Sequence, residues 1–475
     1  MSRKTNYCKK YGLMNRYYKN IDKLFYIFLL FHLVVWTLVP SLTNQNLPLD
    51  TIEALAWSSN LDWGFNKHPP MSAFFPEIFY RIFGPNDWAF YFLSQLFVII
   101  AFYFVYKFSI EIFKNKPLSF LSVIVLESIY FYNFTTPEFN VNVCQLPFWS
   151  LVVYYSWKIY NDKIITFRDC VLIGLFAALG FLSKYLFVYL LLSISLFFIF
   201  IIFSKKEKKF DFKYIIILEV FLILLVPHFI WLSENNYITL TYGLARTGFE
   251  EKELIDHIKY PLSFIGKQIG ILIPFFLLIF TLTSKVKFKI DKKNKKLIFL
   301  IFISVLPIFF MFLTSLISGS KIRTMWMTPF YLFFGVLFIE IYKKHINLKK
   351  LNKFFVIFFI LLFLSPSLYG YISITKDNKR TDYPGKEIAE LVERRWSKNF
   401  SNEIKYVIGD EWIAGNLSYH MSSRPIWFQD IKGKADQLDP SGGIVYTGNA
   451  DILKQVCPGD FGKIKKQGFC MIGSR

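Results

Sequence analysis

Uninterrupted apolar runs limit what this chain can fold into. Leu186–Phe203 and Leu297–Ile317 reach or exceed the roughly 18 residues that separate a membrane-spanning helix from a core helix. Of the 475 residues, 54% are hydrophobic and 19% are charged, whereas soluble domains average about 25% charged residues. Because a soluble fold could not bury this apolar surface, the sequence predicts an all-α polytopic membrane protein.

About eleven segments are expected to span the membrane. The first, Leu24–Leu42, follows a basic N-terminus of residues 1–23 and is longer than a signal-peptide core, so it is expected to be retained. The others lie near 89–110, 118–132, 143–157, 170–183, 185–203, 214–232, 264–283, 297–318, 327–342 and 354–374. Residues 24–374 thus form a transmembrane domain with a long first loop at 43–88.

The basic residues are distributed unevenly over the connections between these segments. Thirty Lys and Arg lie on the side that holds the N-terminus, and eight lie on the other side. The positive-inside rule places the first side in the cytoplasm and the loop 43–88 outside. The net charge of +21 is therefore interpreted as a topology signal, and no nucleic-acid partner is expected.

Residues 375–475 contain no long apolar run and are predicted to form an external α/β domain. Short β-rich runs alternate there with helix-like stretches. The expected strands are Ile404–Ile408, Ile426–Phe428, Gly443–Tyr446 and Phe469–Ile472, and the expected helices are Tyr383–Lys398, Trp412–Met421 and Asp451–Val456. Cys457 and Cys470 either pair in an oxidising compartment or are two small buried residues.

The first external loop carries two carboxylates beside the membrane. It is expected to contain two amphipathic interfacial helices, Leu49–Ser58 and Met71–Phe83. Asp50 and Glu53 would share one face of the first helix. Asp50 can then serve as a general base toward an acceptor hydroxyl or as an anchor for a cation, or it can simply stabilise the helix through its dipole.

External basic residues are rare, and five of these side chains are predicted to bind a phosphate. Lys67 and His68 stand directly before two prolines that fix the backbone. Lys184 is isolated between two spans, where it either meets a phosphate or extends to the interface. Lys321 and Arg323 lie together at an external helix end, where paired cations suit a phosphodiester or pyrophosphate.

A second set of polar residues is expected near an acceptor or a metal ion. Polar side chains at membrane depth usually face the bundle interior or a wet cavity. The set comprises Glu138, Asn140, Asn142, Tyr185 and Arg246. Without a C-x-x-C pair, a metal would need oxygen or histidine ligands, so its identity stays unknown.

This combination suits the transfer of a sugar from a lipid phosphate, because a carboxylate can activate a hydroxyl while cations stabilise the departing anion. ATP-driven chemistry is not supported, since the chain has no G-x-x-x-x-G-K-[ST] loop. The alternative is a transporter or flippase of a lipid-linked saccharide, because polar intramembrane residues also mark transport paths. An inverted repeat would favour this alternative, and none is evident.

Six blocks resemble the membrane glycosyltransferases with the GT-C fold, specifically the bacterial group related to protein O-mannosyltransferases and lipid A aminoarabinose transferases. They run in family order over roughly residues 20–335. The blocks are LDTIEALAW (Leu49–Trp57), WGFNKHPPMSAF (Trp63–Phe74), TPEFNVNV (Thr136–Val143), LSKYLFV (Leu182–Val188), PHFIWL (Pro227–Leu232) and SGSKIRTMWMTP (Ser318–Pro329).

The resemblance implies the transfer of one sugar from a polyprenyl-phosphate donor, usually undecaprenyl phosphate, to a lipid A, glycan or protein acceptor. It implies a bacterial inner-membrane enzyme whose active site and C-terminal domain lie on the periplasmic side. Asp50 matches the catalytic first-loop aspartate of the family, and Glu53 stands where it could replace the second acidic residue of many relatives. Metal dependence varies within the fold, so a divalent metal is compatible with the resemblance.

Overall fold

The computed structural model describes residues 2–162, 164–204, 210–247, 253–283, 293–430, 437–439 and 441–475, with side chains from Asn20 onward except those of 204 and 348. Some of the basic segments that were used to assign orientation lie partly outside these described residues. They are the segments at 1–23, 158–169, 204–213 and 285–296.

The chain forms a helical bundle followed by a small α/β domain. Its α-helices are α1 (Ser2–Thr43), α2 (Leu49–Ser58), α3 (Met71–Phe83), α4 (Asp87–Phe113), α5 (Lys116–Ile124), α6 (Val141–Cys144), α7 (Leu146–Asn161), α8 (Phe167–Ser183), α9 (Val188–Ile199), α10 (Lys213–Glu234), α11 (Ile238–Arg246), α12 (Asp256–Leu282), α13 (Lys295–Ser304), α14 (Leu306–Ser318), α15 (Phe334–Tyr342), α16 (Leu351–Thr375), α17 (Gly385–Asn399), α18 (Ile413–His420) and α19 (Ala450–Val456).

Seven helical segments in the described ranges are long and apolar enough to cross a membrane. An eighth span results if the bent pair Thr324–Tyr331 and Phe334–His345, with 53° between its halves, is counted as one. The seven are Asn20–Thr43, Asp87–Phe113, Tyr185–Phe203, Lys213–Glu234, Asp256–Leu282, Lys295–Ser318 and Leu351–Thr375. Each of them contains or overlaps one of the segments predicted from hydropathy.

The remaining predicted spans are short or interrupted helices. The segments at 143–157 and 170–183 correspond to α7, of 16 residues, and α8, of 17 residues. The segment at 118–132 is α5 followed by 3₁₀ turns at Val125–Ser128 and Tyr130–Tyr132. The side chains of Val125–Ser128 are all buried, and irregular backbone is tolerated at membrane depth where protein surrounds it.

The C-terminal domain is an α/β unit, as the sequence predicts. Its sheet contains β1 (Ile404–Ile408), β2 (Ile426–Phe428), β3 (Gly443–Asn449), β4 (Asp460–Ile464) and β5 (Gln467–Ile472) in the order β2-β1-β3-β5-β4. β1 is parallel to β2 and β3, whereas β5 is antiparallel to β3 and β4. A disulfide joins Cys457 to Cys470 across 5.6 Å between their Cα atoms, which decides between the two alternatives left by the sequence.

The first loop and the C-terminal domain share one hydrophobic core. Ala54, Ala56 and Trp57 of α2 belong to the same buried cluster as Val392 and Leu417 of the α/β domain. Helix α18 lies directly on α2, because Gly415 has no side chain: a Cβ there would be 3.0 Å from Ala56 Cβ. This packing holds α2 rigidly at one end of the helical bundle.

Candidate active site

Helix α2 begins beside a carboxylate from another loop. Pro48 precedes the helix and makes no side-chain capping bond. The Asp50 amide instead donates a hydrogen bond to Glu138 Oε1 at 2.9 Å, which satisfies one of the free amides of the first turn. Asp50 and Glu138, predicted as a base and as an acceptor-proximal residue, therefore lie next to each other at a helix N-terminus that favours negative charge.

The surroundings of the two carboxyl groups differ. Burial and the negative charge of Asp50 raise the pKa of Glu138 to about 8. Burial also raises the pKa of Asp50, but the positive charges of Lys184, Lys67 and Arg246 oppose this rise. Because the cations stabilise the charged form of Asp50, Glu138 is the member of the pair that holds a proton near neutral pH.

Lys184 is buried beside this carboxyl pair. It follows α8, and its Nζ donates to Asn142 Oδ1 at 2.5 Å and lies 5.2 Å from the ring centroid of Trp326. Burial lowers the pKa of Lys184 to about 7, whereas the negative charge of Asp50 acts in the opposite direction. Asn140 uses its side-chain oxygen to cap α6, where it accepts from the Asn142 amide at 2.9 Å.

A cavity of about 700 Å³ adjoins Glu138. The polar residues Glu138, Asn140 and Asn142 line it, and aromatic side chains such as Tyr130, Phe134 and Tyr369 complete its wall. Four basic side chains also line it: Arg246, Lys267, Lys321 and Arg323. With Glu138 as its acidic lining residue, the cavity favours an anion that carries apolar groups.

Two basic residues of this region are absent from the sequence prediction. Lys267 lies in α12, inside an apolar segment assigned to a span, where an isolated lysine is itself a functional signal. Arg380 lies at the start of the C-terminal domain, before α17, and lowers the pKa of Asp50, though less than Lys184 does. No local pattern identifies Arg380, since only the folded chain brings it to α2.

Lys67 and His68, predicted to bind phosphate, have other contacts and are not part of the cavity lining. Lys67 Nζ forms ion pairs with Glu53 Oε1 at 2.9 Å and Glu411 Oε1 at 3.3 Å. His68 presents its ring to Trp57, with the ring centroids 5.9 Å apart. Burial and nearby cations lower the pKa of His68 to about 3, so its imidazole is neutral at physiological pH.

Tyr185, predicted to lie near the acceptor, is part of a chain of hydrogen bonds. Its hydroxyl is 2.7 Å from His228 Nε2, and His228 Nδ1 is 2.6 Å from the carbonyl oxygen of Trp63. A carbonyl oxygen can only accept, so Nδ1 carries the proton and Nε2 accepts from the tyrosine. These hydrogen bonds join the first loop at Trp63 to α10 and to the turn Tyr185–Phe187 that follows α8.

A divalent metal was compatible with the sequence, but the described residues do not fit one. None of their His, Cys, Asp and Glu side chains form a group of three or more that could hold a metal ion. Asp50 and Glu138 are accompanied by Lys184 and Asn142. The Lys184 Nζ is a hydrogen-bond donor to Asn142 and offers no oxygen ligand, so no catalytic step is assigned to a metal.

Comparisons with known proteins agree with this architecture. A sequence model of the family described as dolichyl-phosphate-mannose-protein mannosyltransferase matches residues 67–231, about a third of the chain. No curated protein sequence matches. The structure of ArnT from Cupriavidus metallidurans bound to undecaprenyl phosphate aligns with a TM-score of 0.64 at 10% identity, over 94% of this chain and 97% of that chain. The same protein in the apo state gives 0.61 at 11% identity, again over 94% and 97%.

A more distant match is the oligosaccharyltransferase of Archaeoglobus fulgidus in the apo form, with a TM-score of 0.44 at 11% identity over 89% of this chain and 70% of that chain. The chain has the GT-C fold expected from the sequence resemblance. At such low identity the ArnT alignment shows the fold and not the substrate. Together with the family match it supports a membrane glycosyltransferase and does not favour the transporter alternative.

Proposed function

We propose that this protein transfers a single sugar from a polyprenyl-phosphate donor to an acceptor in the cell envelope. The observation that carries the proposal is the cation-lined cavity directly beside the Asp50–Glu138 pair. The aromatic part of its lining suits the first isoprene units of a lipid, and the basic part suits the phosphate. A structure of the same fold holds undecaprenyl phosphate, which supports this donor class.

The donor phosphate is assigned to Arg246, Lys267, Lys321 and Arg323. When the bond between the anomeric carbon and the phosphate oxygen breaks, that oxygen keeps the bonding electrons and its negative charge grows. Fixed cations stabilise this charge more in the transition state than in the bound donor, so they accelerate the reaction. The sugar carbon becomes oxocarbenium-like at the same time and is attacked from the opposite side.

Asp50 is assigned as the base. It accepts the proton of the acceptor hydroxyl while the hydroxyl oxygen bonds to the anomeric carbon, and it later releases the proton to water. The charges of Lys184 and Lys67 oppose the rise that burial imposes on the pKa of Asp50, which favours the ionised form that a base needs. Glu53 and Glu411 position Lys67 by ion pairs. Lys67, His68 and Glu53 are therefore proposed to act through Asp50 and the shape of the loop, and not on the phosphate directly.

The reaction is proposed to take place at the periplasmic face of the bacterial inner membrane. The uneven distribution of Lys and Arg supports this orientation, because it puts α2 and the C-terminal domain on the side with few basic residues. The cavity then faces the leaflet opposite the cytoplasm. The acceptor is a lipid, glycan or protein that this domain can reach.

Complementation of a deletion strain tests the proposal. Envelope lipids and glycoproteins are compared by mass spectrometry in cells that carry wild-type protein, Asp50→Asn or the control Asp377→Asn, whose carboxylate is exposed near the same end of the bundle. We expect one sugar increment in wild-type and Asp377→Asn cells and none with Asp50→Asn at equal membrane levels. The same increment with Asp50→Asn would remove Asp50 from the mechanism.

A further inference from the structure

An ionisable pair that the proposed reaction does not use lies inside the helical bundle. His32 stands at the middle of the first span, Asn20–Thr43, and Glu127 lies in the 3₁₀ turn Val125–Ser128. His32 Nδ1 and Glu127 Oε2 are 3.2 Å apart, and both side chains are fully buried. Ionisable side chains at membrane depth are costly, and where they occur they usually pair with each other and serve a function. This pair is therefore a candidate functional element.

The two side chains depend on each other for hydrogen bonding. The His32 ring is surrounded by Phe28, Trp36 and Phe102, at centroid distances of 6.2, 6.5 and 5.6 Å. His32 Nε2 and Glu127 Oε1 have no hydrogen-bond partner within the described structure. Either Nδ1–H donates to the carboxyl oxygen, or a protonated carboxyl group donates to Nδ1, so the bond between them is made in both cases. In apolar surroundings this bond is stronger than in water, and it fixes the 3₁₀ turn against α1.

The turn that carries Glu127 continues into the wall of the cavity beside Glu138. The Glu127 carbonyl oxygen accepts from Asn133 Nδ2 at 2.6 Å, and Asn133 Oδ1 accepts from the Phe134 amide. Tyr130 and Phe134, which lie on either side of Asn133 in the chain, both line the cavity. The position of Glu127 therefore determines where these two aromatic rings stand.

The same segment also reaches the active carboxyl pair. Ser365 Oγ of α16 donates to Asn133 Oδ1 at 3.3 Å, which attaches the middle of the segment to a second span. The segment then leads to Glu138, whose Oε1 accepts from the Asp50 amide. The end of the segment that lies deepest in the bundle is thus held by His32, and the other end forms part of the candidate active site.

We propose that the His32–Glu127 pair positions the aromatic wall of this cavity for the isoprenoid part of its ligand. A hydrogen bond restricts direction as well as distance, whereas apolar packing alone would let the turn rotate or shift along α1. Both are positioning residues, because neither lines the cavity. That the ligand is a lipid donor rests on the proposed function, whereas the fixing of the wall does not.

A double variant separates this role from a contribution to stability. Removing one partner of a buried pair is strongly destabilising, whereas replacing both partners by apolar residues is often neutral or stabilising. His32→Leu combined with Glu127→Met should therefore reach wild-type membrane levels and unfold at the wild-type temperature. Its affinity for undecaprenyl phosphate should nevertheless fall about three- to tenfold, which is the effect of one hydrogen bond. His32→Leu combined with Glu127→Gln, which leaves only a neutral amide unpaired, is the second disrupting variant.

Hydrogen–deuterium exchange reports the cavity wall directly and needs no ligand. The amides of Ile129, Tyr132 and Asn133 are hydrogen-bonded within the segment, and in both disrupting variants they should exchange about three- to tenfold faster. Glu127→Gln alone keeps a partner for His32 Nδ1, so it should retain wild-type exchange and wild-type affinity.

Thr37→Val is the matched control. Thr37 is buried on the same helix as His32, and its Oγ1 has no partner within the described part of the chain, so this change removes a polar atom but no hydrogen bond. Unchanged exchange in both disrupting variants, unchanged affinity despite faster exchange, or equal losses in Thr37→Val would overturn the proposal. If the wild-type protein does not bind undecaprenyl phosphate, the proposed donor is wrong, and the exchange measurement still decides whether the pair positions the wall.

Discussion

Arg424 joins the C-terminal domain to both helices of the first loop, and its replacement tests whether these parts form one unit. Its guanidinium donates to the Leu55 carbonyl oxygen at 2.8 Å and to Ser58 Oγ at 2.9 Å on α2. It lies 4.1 Å from the ring centroid of Tyr80 on α3 and 3.7 Å from Glu77 Oε2. Arg424→Met keeps the aliphatic stem and removes all four contacts.

The expected cost follows from the burial of this group, whose side chain is 16% exposed. Hydrogen bonds from a charged donor contribute about 1.5–3 kcal/mol each, and breaking a buried ion pair costs about 3–5 kcal/mol. Since these contributions overlap, Arg424→Met should lower the opening free energy of the α2–α18 contact by about 3–5 kcal/mol. Hydrogen–deuterium exchange of the α2 amides should then accelerate by a factor between about 10² and about 4 × 10³, at about tenfold per 1.4 kcal/mol.

Arg394→Met is the control, because Arg394 is exposed and pairs with Glu390 at 3.4 Å on the outer face of α17. An exposed pair of this kind contributes about 0–1 kcal/mol, so exchange in α2 should stay close to wild type. If Arg424→Met and Arg394→Met leave α2 equally protected, the C-terminal domain does not hold the helix that carries the proposed base.

Three further outcomes are expected. Glu138 binds its proton more tightly in the folded chain, where its pKa is raised from 4.5 to about 8. Its contribution to the free energy of unfolding should therefore fall as the pH rises from about 5 to 8. The thermal unfolding temperature of Glu138→Gln should depend less on pH over this range than that of the wild-type protein. Gly415→Val should lower the free energy of unfolding measured with denaturant by about 1–3 kcal/mol, because its side chain would overpack the contact between α18 and α2. Gly448→Val is the control and should cause no such loss from overpacking, because a Cβ there meets nothing within 4 Å. Lys267→Met should weaken undecaprenyl phosphate binding about tenfold through loss of one charged contact, and equal affinity in a vesicle-binding assay would exclude this lysine from the donor site.

Local signals in the sequence were sufficient to define the two loop helices. The expected Leu49–Ser58 and Met71–Phe83 coincide with α2 and α3, because Pro48 and Pro70 stand before them and fix where each can begin. Four strands of the C-terminal domain were also predicted. β4, DFGKI, was missed because a glycine and two charged residues leave little apolar alternation.

Hydropathy predicts the lengths of the membrane-spanning helices less accurately than it predicts where they lie. Apolar runs mark segments that avoid water, but they do not report whether lipid or protein surrounds them. α7 is largely buried and has 16 residues, so its apolar composition reflects neighbouring helices as much as lipid. For the same reason the sequence does not identify Lys267 as a site residue. It falls inside a predicted span, whereas in the structure it lines the cavity beside Glu138.

The sequence identifies several residues of the candidate site, but it does not show which of these residues contact each other. The sequence predicted Asp50 and Glu138 as functional residues, and the fold brings them into contact. Lys67 was predicted to bind phosphate because external cations are rare. Its partner Glu411 lies far along the chain in another domain, and no local pattern can reveal such an ion pair.

Asp50 is the proposed base for sugar transfer from a lipid phosphate at this cavity. The most direct measurement uses purified protein in vesicles with undecaprenyl-phosphate-linked radiolabelled sugars and envelope extract from the deletion strain as the acceptor. If Asp50 is the base, label leaves the lipid donor with wild-type protein, whereas Asp50→Asn binds the donor with wild-type affinity but transfers no label. Transfer at the wild-type rate by Asp50→Asn, or transfer by neither protein from any labelled donor, would contradict it.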